Sequence, residues 1–310
     1  MAETLFHFFI YPGLLFAGVV GGLLSWFDRK ITARVQFRKG PPLLQPFYDF
    51  LKLLLVKETI IPARGARITF LIAPVLGLFG ATAAAAFILL PLFNIQIGFE
   101  GDVMVIFYLL TIPSLTYIVG ALASANPLAA VGASREIKMI VSYELTFLLF
   151  FAAVILKADQ TMRLNEIIQM QAQGTPFIGS ISGILLLIAG VFCTQAKLGM
   201  VPFDVAEAET ELSEGTFIEY SGTAFALVQL TRYVMLFILP ALIVALLMSG
   251  FNLEGIGILW TVLKVLAVVL LMTLIRNTNP RLKIKQAMRF FLIGMNALLI
   301  IAILLTYIGL

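Results

Sequence analysis

Apolar residues in this chain fall into eight long runs, at approximately 5–27, 68–93, 103–124, 137–156, 178–196, 218–248, 256–275 and 287–308. A bilayer core of about 30 Å takes roughly 20 apolar residues as helix, so each run predicts a membrane-spanning helix. The sixth run covers 31 residues, or about 46 Å as helix, and predicts a tilted span or one whose first turns stand outside the lipid. The first run has no basic stretch before it and reads as a retained helix, not a cleaved signal. After it, Gln45 to Glu58 sets Phe47, Phe50, Leu51, Leu54 and Leu55 at helical spacing, with Asp49 and Lys52 polar and prolines on both flanks. That pattern predicts an amphipathic helix lying in the interface plane. A weaker amphipathic stretch covers 159–171. With no internal repeat, the expectation is a single all-α domain over 1–310, a polytopic membrane protein of about eight transmembrane helices.

Composition agrees with this and removes other classes. Of 310 residues, 61% are hydrophobic and 12% charged, and the mean hydropathy is +1.03. A soluble domain carries about 25% charge, so a soluble enzyme, a disordered chain and a nucleic-acid binder are excluded. One cysteine and one histidine leave no disulfide framework, multi-cysteine cluster or multi-histidine metal centre. The odd-numbered connectors, with their edges, hold 17 of the 21 Lys and Arg residues. By the positive-inside rule those connectors are cytoplasmic and both termini lie outside. The net charge of +4 therefore records topology before it records any partner.

The acids are less easily explained. In KLGMVPFDVAEAETELSEGTFIEYSG, Asp204, Glu207, Glu209, Glu211, Glu214 and Glu219 fall within sixteen residues, with Lys197 the one nearby base. A solvated helix is the plain reading: Pro202 suits a first turn, and Asp204 with Glu207 has capping-box spacing. Against it, a helix would line Asp204, Glu207, Glu211 and Glu214 along one stripe of like charge, with small or apolar residues between them. Partly desolvated carboxylates at that density cannot all ionise, which makes the group a coupled proton-handling set. Glu144, in IVSYELTF, sits within the fourth run, where an ionisable group suggests an ion or proton path; reach to water or Lys138 is the plain alternative. Arg232 and Lys264 lie inside spans and are expected to pair with an intramembrane acid, foremost Glu144, with snorkelling as the alternative for Lys264. His7 reads as a polar anchor and Cys193 as a small hydrophobe. No nucleotide-binding or nucleophile–base motif occurs, so no catalytic or metal-ligating residue is predicted.

Three segments, DRKITARVQFRKGPPLLQPFYDFLKLLLVKE from Asp28, VPFDVAEAETELSEGTFIEYSG from Val201 and RNTNPRLKIKQAM from Arg276, resemble the subunit 1 (H-type) family of respiratory complex I and its energy-converting hydrogenase relatives. The resemblance covers nearly the whole chain. It implies a non-catalytic membrane anchor between a cytoplasmic redox arm and ion-translocating, antiporter-like subunits. Matched by motif, a proton path falls on Asp204, Glu207, Glu209, Glu211 and Glu219, with Glu144. Asp28, Arg29, Arg34, Arg38 and Glu58 match residues that face the redox arm. Two departures point away from quinone-reducing members. The first loop runs from Gly40-Pro41-Pro42 almost directly to Gln45, and Arg232 stands where those members carry an acid before the tyrosine. The implied complex is a membrane-bound [NiFe]-hydrogenase or a ferredoxin-dependent sulfane sulfur reductase in a prokaryotic plasma membrane. Its hydrogenase-like large and small subunits and a ferredoxin-like subunit would hold iron–sulfur clusters and a nickel–iron centre, with no cofactor in this chain. A quinone-site subunit and a free-standing cation transporter are the alternatives.

Overall fold

Long apolar runs without strand-length punctuation fold as helices, because a helix satisfies its own backbone hydrogen bonds without water. The computed structural model describes residues 2–95, 99–207 and 213–309, and among the described residues there is no strand. In chain order the helices are α1 Ala2–Phe9, α2 Leu14–Val35, α3 Gln45–Leu55, α4 Arg67–Leu92, α5 Asp102–Ala123, α6 Pro127–Lys157, α7 Leu164–Gln173, α8 Ile181–Lys197, α9 Gly222–Leu247, α10 Gly257–Thr278, α11 Ile284–Arg289 and α12 Asn296–Ile308. A π-helical turn, Phe290–Met295, joins α11 to α12 as one span. Seven helical stretches are long and apolar enough to cross a membrane, and α8 is a shorter apolar helix. The chain is a polytopic membrane protein.

The deviations from the sequence reading lie at helix ends, where hydropathy is a poor guide. The first run is broken between α1 and α2 at Tyr11-Pro12-Gly13. Proline lacks the N–H a helix needs and disfavours helical backbone before it. A Cβ on Gly13 would lie 1.8 Å from the Phe8 carbonyl oxygen. The fourth run extends ten residues upstream, because Asn126 caps α6 by accepting from the Leu128 N–H, with Pro127 at the first position. That extension brings Arg135 and Glu136 onto the helix. The sixth helix starts late, at Gly222, so Ile218 to Ser221 belong to the connector. The amphipathic helix is α3, seated against α2 and α9, with Leu51 and Leu55 outward. The acid segment is not helical over 201–207, so the proposed stripe and capping box do not form there.

The central element is α9. Every residue from 233 to 247 on it is buried, as expected for a helix apolar on all sides. Apolar burial alone does not favour one helix pairing over another in lipid, so close packing and polar links do that work. Gly80 on α4 lets α5 approach: a Cβ there would lie 2.7 Å from Ile112. Thr146 donates to Asn296 at 2.8 Å, tying α6 to α12. Gln171 of α7 donates to the carbonyls of Ala245 and Leu246 at the end of α9.

Candidate functional site: a file of ion pairs

The connector between α8 and α9 is held in place before any of its acids acts. Gln195 donates to the Val201 carbonyl at 2.6 Å, and the Leu282 N–H donates to the Pro202 carbonyl at 3.0 Å. Phe203 packs on Phe291 and Phe290 of the π turn, with ring centres 4.7 and 5.5 Å apart. Arg135 reaches the Val205 carbonyl from α6. These contacts fold the segment inward, against α2, α6, α9 and α10.

Two of its carboxylates face arginines. Asp204 pairs with Arg281 at 2.9 Å. Glu207 pairs with Arg232 of α9 at 2.6 Å, and the Arg232 guanidinium lies 4.5 Å from the centre of the Phe217 ring. Burial pushes the Glu207 carboxyl above the usual carboxylate range, against the opposing pull of Arg232. Across the same space, Asp28 of α2 is buried and accepts from Arg276 at 2.6 Å and from Thr273 at 2.9 Å. Together these groups line a cavity of about 310 Å³, whose walls carry four arginines (Arg29, Arg232, Arg276, Arg281) and three acids (Asp28, Asp204, Glu207).

Asp204, Glu207 and Arg232 also line a second, smaller cavity of about 20 Å³, the size that holds a single water. Its far side is formed by Glu136 of α6, Tyr117 of α5 and Lys197 at the end of α8. The Lys197 side chain is fully buried and is ion-paired with Glu144. It also donates to the Leu110 carbonyl and lies over the rings of Tyr143 and Phe147. The second Glu144 carboxylate oxygen is buried and makes no hydrogen bond to a described residue. Charged groups thus line both cavities, and Lys197 at the far side of the smaller one joins them to Glu144 inside the fourth span.

Several expected pairings differ. Arg232 pairs with Glu207 and not with Glu144, because it faces the folded connector. Lys264 does not reach an acid either: it donates to the carbonyls of Met248 and Gly250, where the end of α9 leaves carbonyls unsatisfied. Glu144 is served by Lys197, on a helix end rather than within a hydropathy peak. Glu219 accepts from Asn126 at 2.6 Å and fixes the connector to the start of α6; it lines neither cavity. Glu209 and Glu211 lie outside the described residues. Of the first-loop residues, Asp28 is turned inward to Arg276, and Arg29 is paired with Asp49 of α3 at 2.9 Å. Arg34, Arg38 and Glu58 are exposed.

Sequence reasoning missed Glu136, Tyr117, Arg276 and Arg281 as members of this file. Glu136 fell just outside the fourth apolar run, although its place eight residues before Glu144, two helical turns away, was a usable signal.

The family model described as NADH dehydrogenase matches residues 9–307. The chain belongs to this family, as a membrane subunit of the H type. Family relatives include the H subunit of the NADH-quinone oxidoreductase of Dehalococcoides mccartyi (strain CBDB1), 32% identical, with 94% of this chain and 83% of the relative covered. That of Brevibacillus brevis is 33% identical, with 91% and 87% covered. Among solved structures, a chain of the membrane-bound sulfane sulfur reductase, described as an archaeal respiratory membrane complex, superposes with a TM-score of 0.88. It is 25% identical and covers 99% of this chain and 100% of its own length. Chains of the H type are parts of multi-subunit membrane oxidoreductases, and so is this one.

Proposed function

We propose that this subunit couples a cytoplasmic redox arm, driven by ferredoxin and of the hydrogenase or sulfane sulfur reductase type, to neighbouring ion-translocating, antiporter-like subunits. The observation that carries this reading is the file of ion pairs from the larger cavity to Glu144. A charged cavity next to the connector acids is where a redox event outside the membrane would be felt. A buried, half-satisfied Glu144 is where that event would be handed into the membrane. Asp204, Glu207 and Glu144 are the described acids of the path, and Glu209 and Glu211 belong to it by motif. The exposed bases Arg34 and Arg38 and the exposed Glu58 belong to the docking surface. Under this reading the connectors of the redox side face the cytoplasm of a prokaryotic cell, and both termini lie outside. Iron–sulfur clusters, and a nickel–iron centre in the hydrogenase case, belong to the partner subunits.

The similarity to quinone oxidoreductase subunits favours a second reading, a quinone chamber in the larger cavity. Its walls argue against that. A site for a neutral ring on an apolar tail is mostly apolar with a few placed polar groups, whereas seven charged side chains line this one. The test is to isolate the assembled complex, identify its subunits by mass spectrometry, and assay electron transfer from reduced ferredoxin and from NADH. Ferredoxin oxidation with protons or a sulfur compound as acceptor is the expected result. A quinone-reactive complex without those activities would overturn the first reading. In the same complex Glu144→Gln is expected to lower the ions moved per electron; unchanged coupling would remove the proton-path assignment.

A further inference from the structure

Glu136 occupies the place where the two halves of the file meet, and the path from the connector acids to Glu144 leaves it without a role. It projects from α6 into the one-water cavity, which it shares with the Glu207–Arg232 pair on one side and Lys197 on the other. Its carboxylate makes no hydrogen bond or ion pair with a described residue. Lys197, by contrast, is fully buried and has one strong partner, Glu144, whose second oxygen is unsatisfied. The charged groups facing Glu136 are Glu207 and Asp204 from the connector, Arg232 from α9 and Lys197 from α8, and Tyr117 of α5 adds a phenol.

We propose that Glu136 is a relay residue that competes with Glu144 for the Lys197 ammonium and receives its proton through a single water filling the cavity it shares with Glu207. This rests on the coupling role proposed above. The transfer balances without any other reactant. A proton on Glu207 moves to the water, the water releases one of its own to the Glu136 carboxylate, and the water is regenerated. With Glu136 neutral, the ammonium is drawn toward Glu144; with Glu136 ionised, its attraction is divided between two carboxylates. Two carboxylates flanking one buried ammonium form a bistable arrangement, and in a medium of low dielectric a shift of one charge there carries large electrostatic weight. The site therefore converts a protonation event beside the connector into a change in the environment of Glu144, without the proton itself having to pass Lys197.

The test uses the complete complex in sealed vesicles, with ions moved per electron and the pH profile of that ratio as readouts, and with proton and sodium movement followed separately. Glu136→Gln, which keeps shape but cannot accept the proton, is expected to lower the ratio toward that of Glu144→Gln. Glu136→Asp, which can, is expected to restore coupling with a displaced pH profile. Glu144→Gln serves as reference. If Glu144→Gln uncouples while Glu136→Gln leaves ratio and pH profile as in the parent, the relay is overturned and the path stands. If neither variant changes coupling, the path fails and the relay with it. Should Glu136→Gln fail to assemble, an Asp variant with the parental pH profile overturns the proposal, and a displaced profile supports it.

Discussion

Replacing Lys197 with methionine tests the part of the file on which the rest depends. The side chain is fully buried and Glu144 is only 12% exposed, so solvent does not screen the pair. Removing one partner of such a pair leaves a charge without compensation and costs about 3–5 kcal/mol. Arg163 and Glu100, 43% and 88% exposed and 3.5 Å apart, provide the contrast: a pair this exposed contributes about 1 kcal/mol or less. Methionine keeps the length of the lysine stem, so the difference reports charge and not a cavity. The double variant Lys197→Met/Glu144→Leu removes both charges and is expected to recover most of the loss, since an apolar pair of similar volume replaces a buried ion pair at little cost. Cys193 is the chain's one cysteine and is buried one turn from Lys197 on α8. Its alkylation during a temperature ramp, quantified by peptide mass spectrometry in the assembled complex, reports unfolding of this subunit. The expected order of midpoints is parent, then Arg163→Met, then the double variant, with Lys197→Met well below all three. If Lys197→Met melts no lower than Arg163→Met, or if Glu144→Leu fails to rescue it, Glu144 and Lys197 are not an ion pair and the reasoning fails.

Other expectations follow from single contacts. The Glu207 carboxyl is raised in the folded chain, so the fold binds that proton more tightly than the unfolded chain does. Its contribution to stability therefore falls as pH rises from the ordinary carboxylate value through the folded one. Glu207→Gln should flatten that part of the pH–melting curve, and an unchanged slope would contradict it. Gly222 has φ of +53°, and a Cβ there would lie 2.5 Å from the Glu58 carbonyl carbon. Gly222→Ala is expected to cost about 1–3 kcal/mol from backbone strain alone, seen as lost assembly on native gels. Thr146→Val removes the link to Asn296, and bonds of this kind between membrane helices average about 0.6 kcal/mol. A melting shift much smaller than that of Lys197→Met is expected, and an equal one would mean that the α6–α12 link does more than join two helices.

The seven long apolar stretches, the shorter α8, their approximate limits and the anomalous acids were legible from the chain alone. Hydrophobic length and the price of a charge in lipid are properties of individual segments, and neither needs a neighbour to be evaluated. Glu144 and the connector acids stood out for that reason, and the quoted motifs carried the family. Helix ends were less legible, because they depend on caps such as Asn126 and on breaks such as Tyr11-Pro12-Gly13, which a hydropathy run averages away. Pairing was not legible at all. Arg232 and Lys264 were conspicuous because they interrupt apolar runs, but their partners depend on how a non-helical connector folds back between α6, α9 and α10. Lys197 and Glu136, at run edges, looked ordinary until packing brought one beneath Glu144 and the other beside Glu207. Which groups are costly in a membrane is thus written in the order of residues. Which of them compensate one another is settled by packing, because an ion pair is set by distances of a few ångströms between residues far apart in the chain, 53 positions for Glu144 and Lys197 and 248 for Asp28 and Arg276.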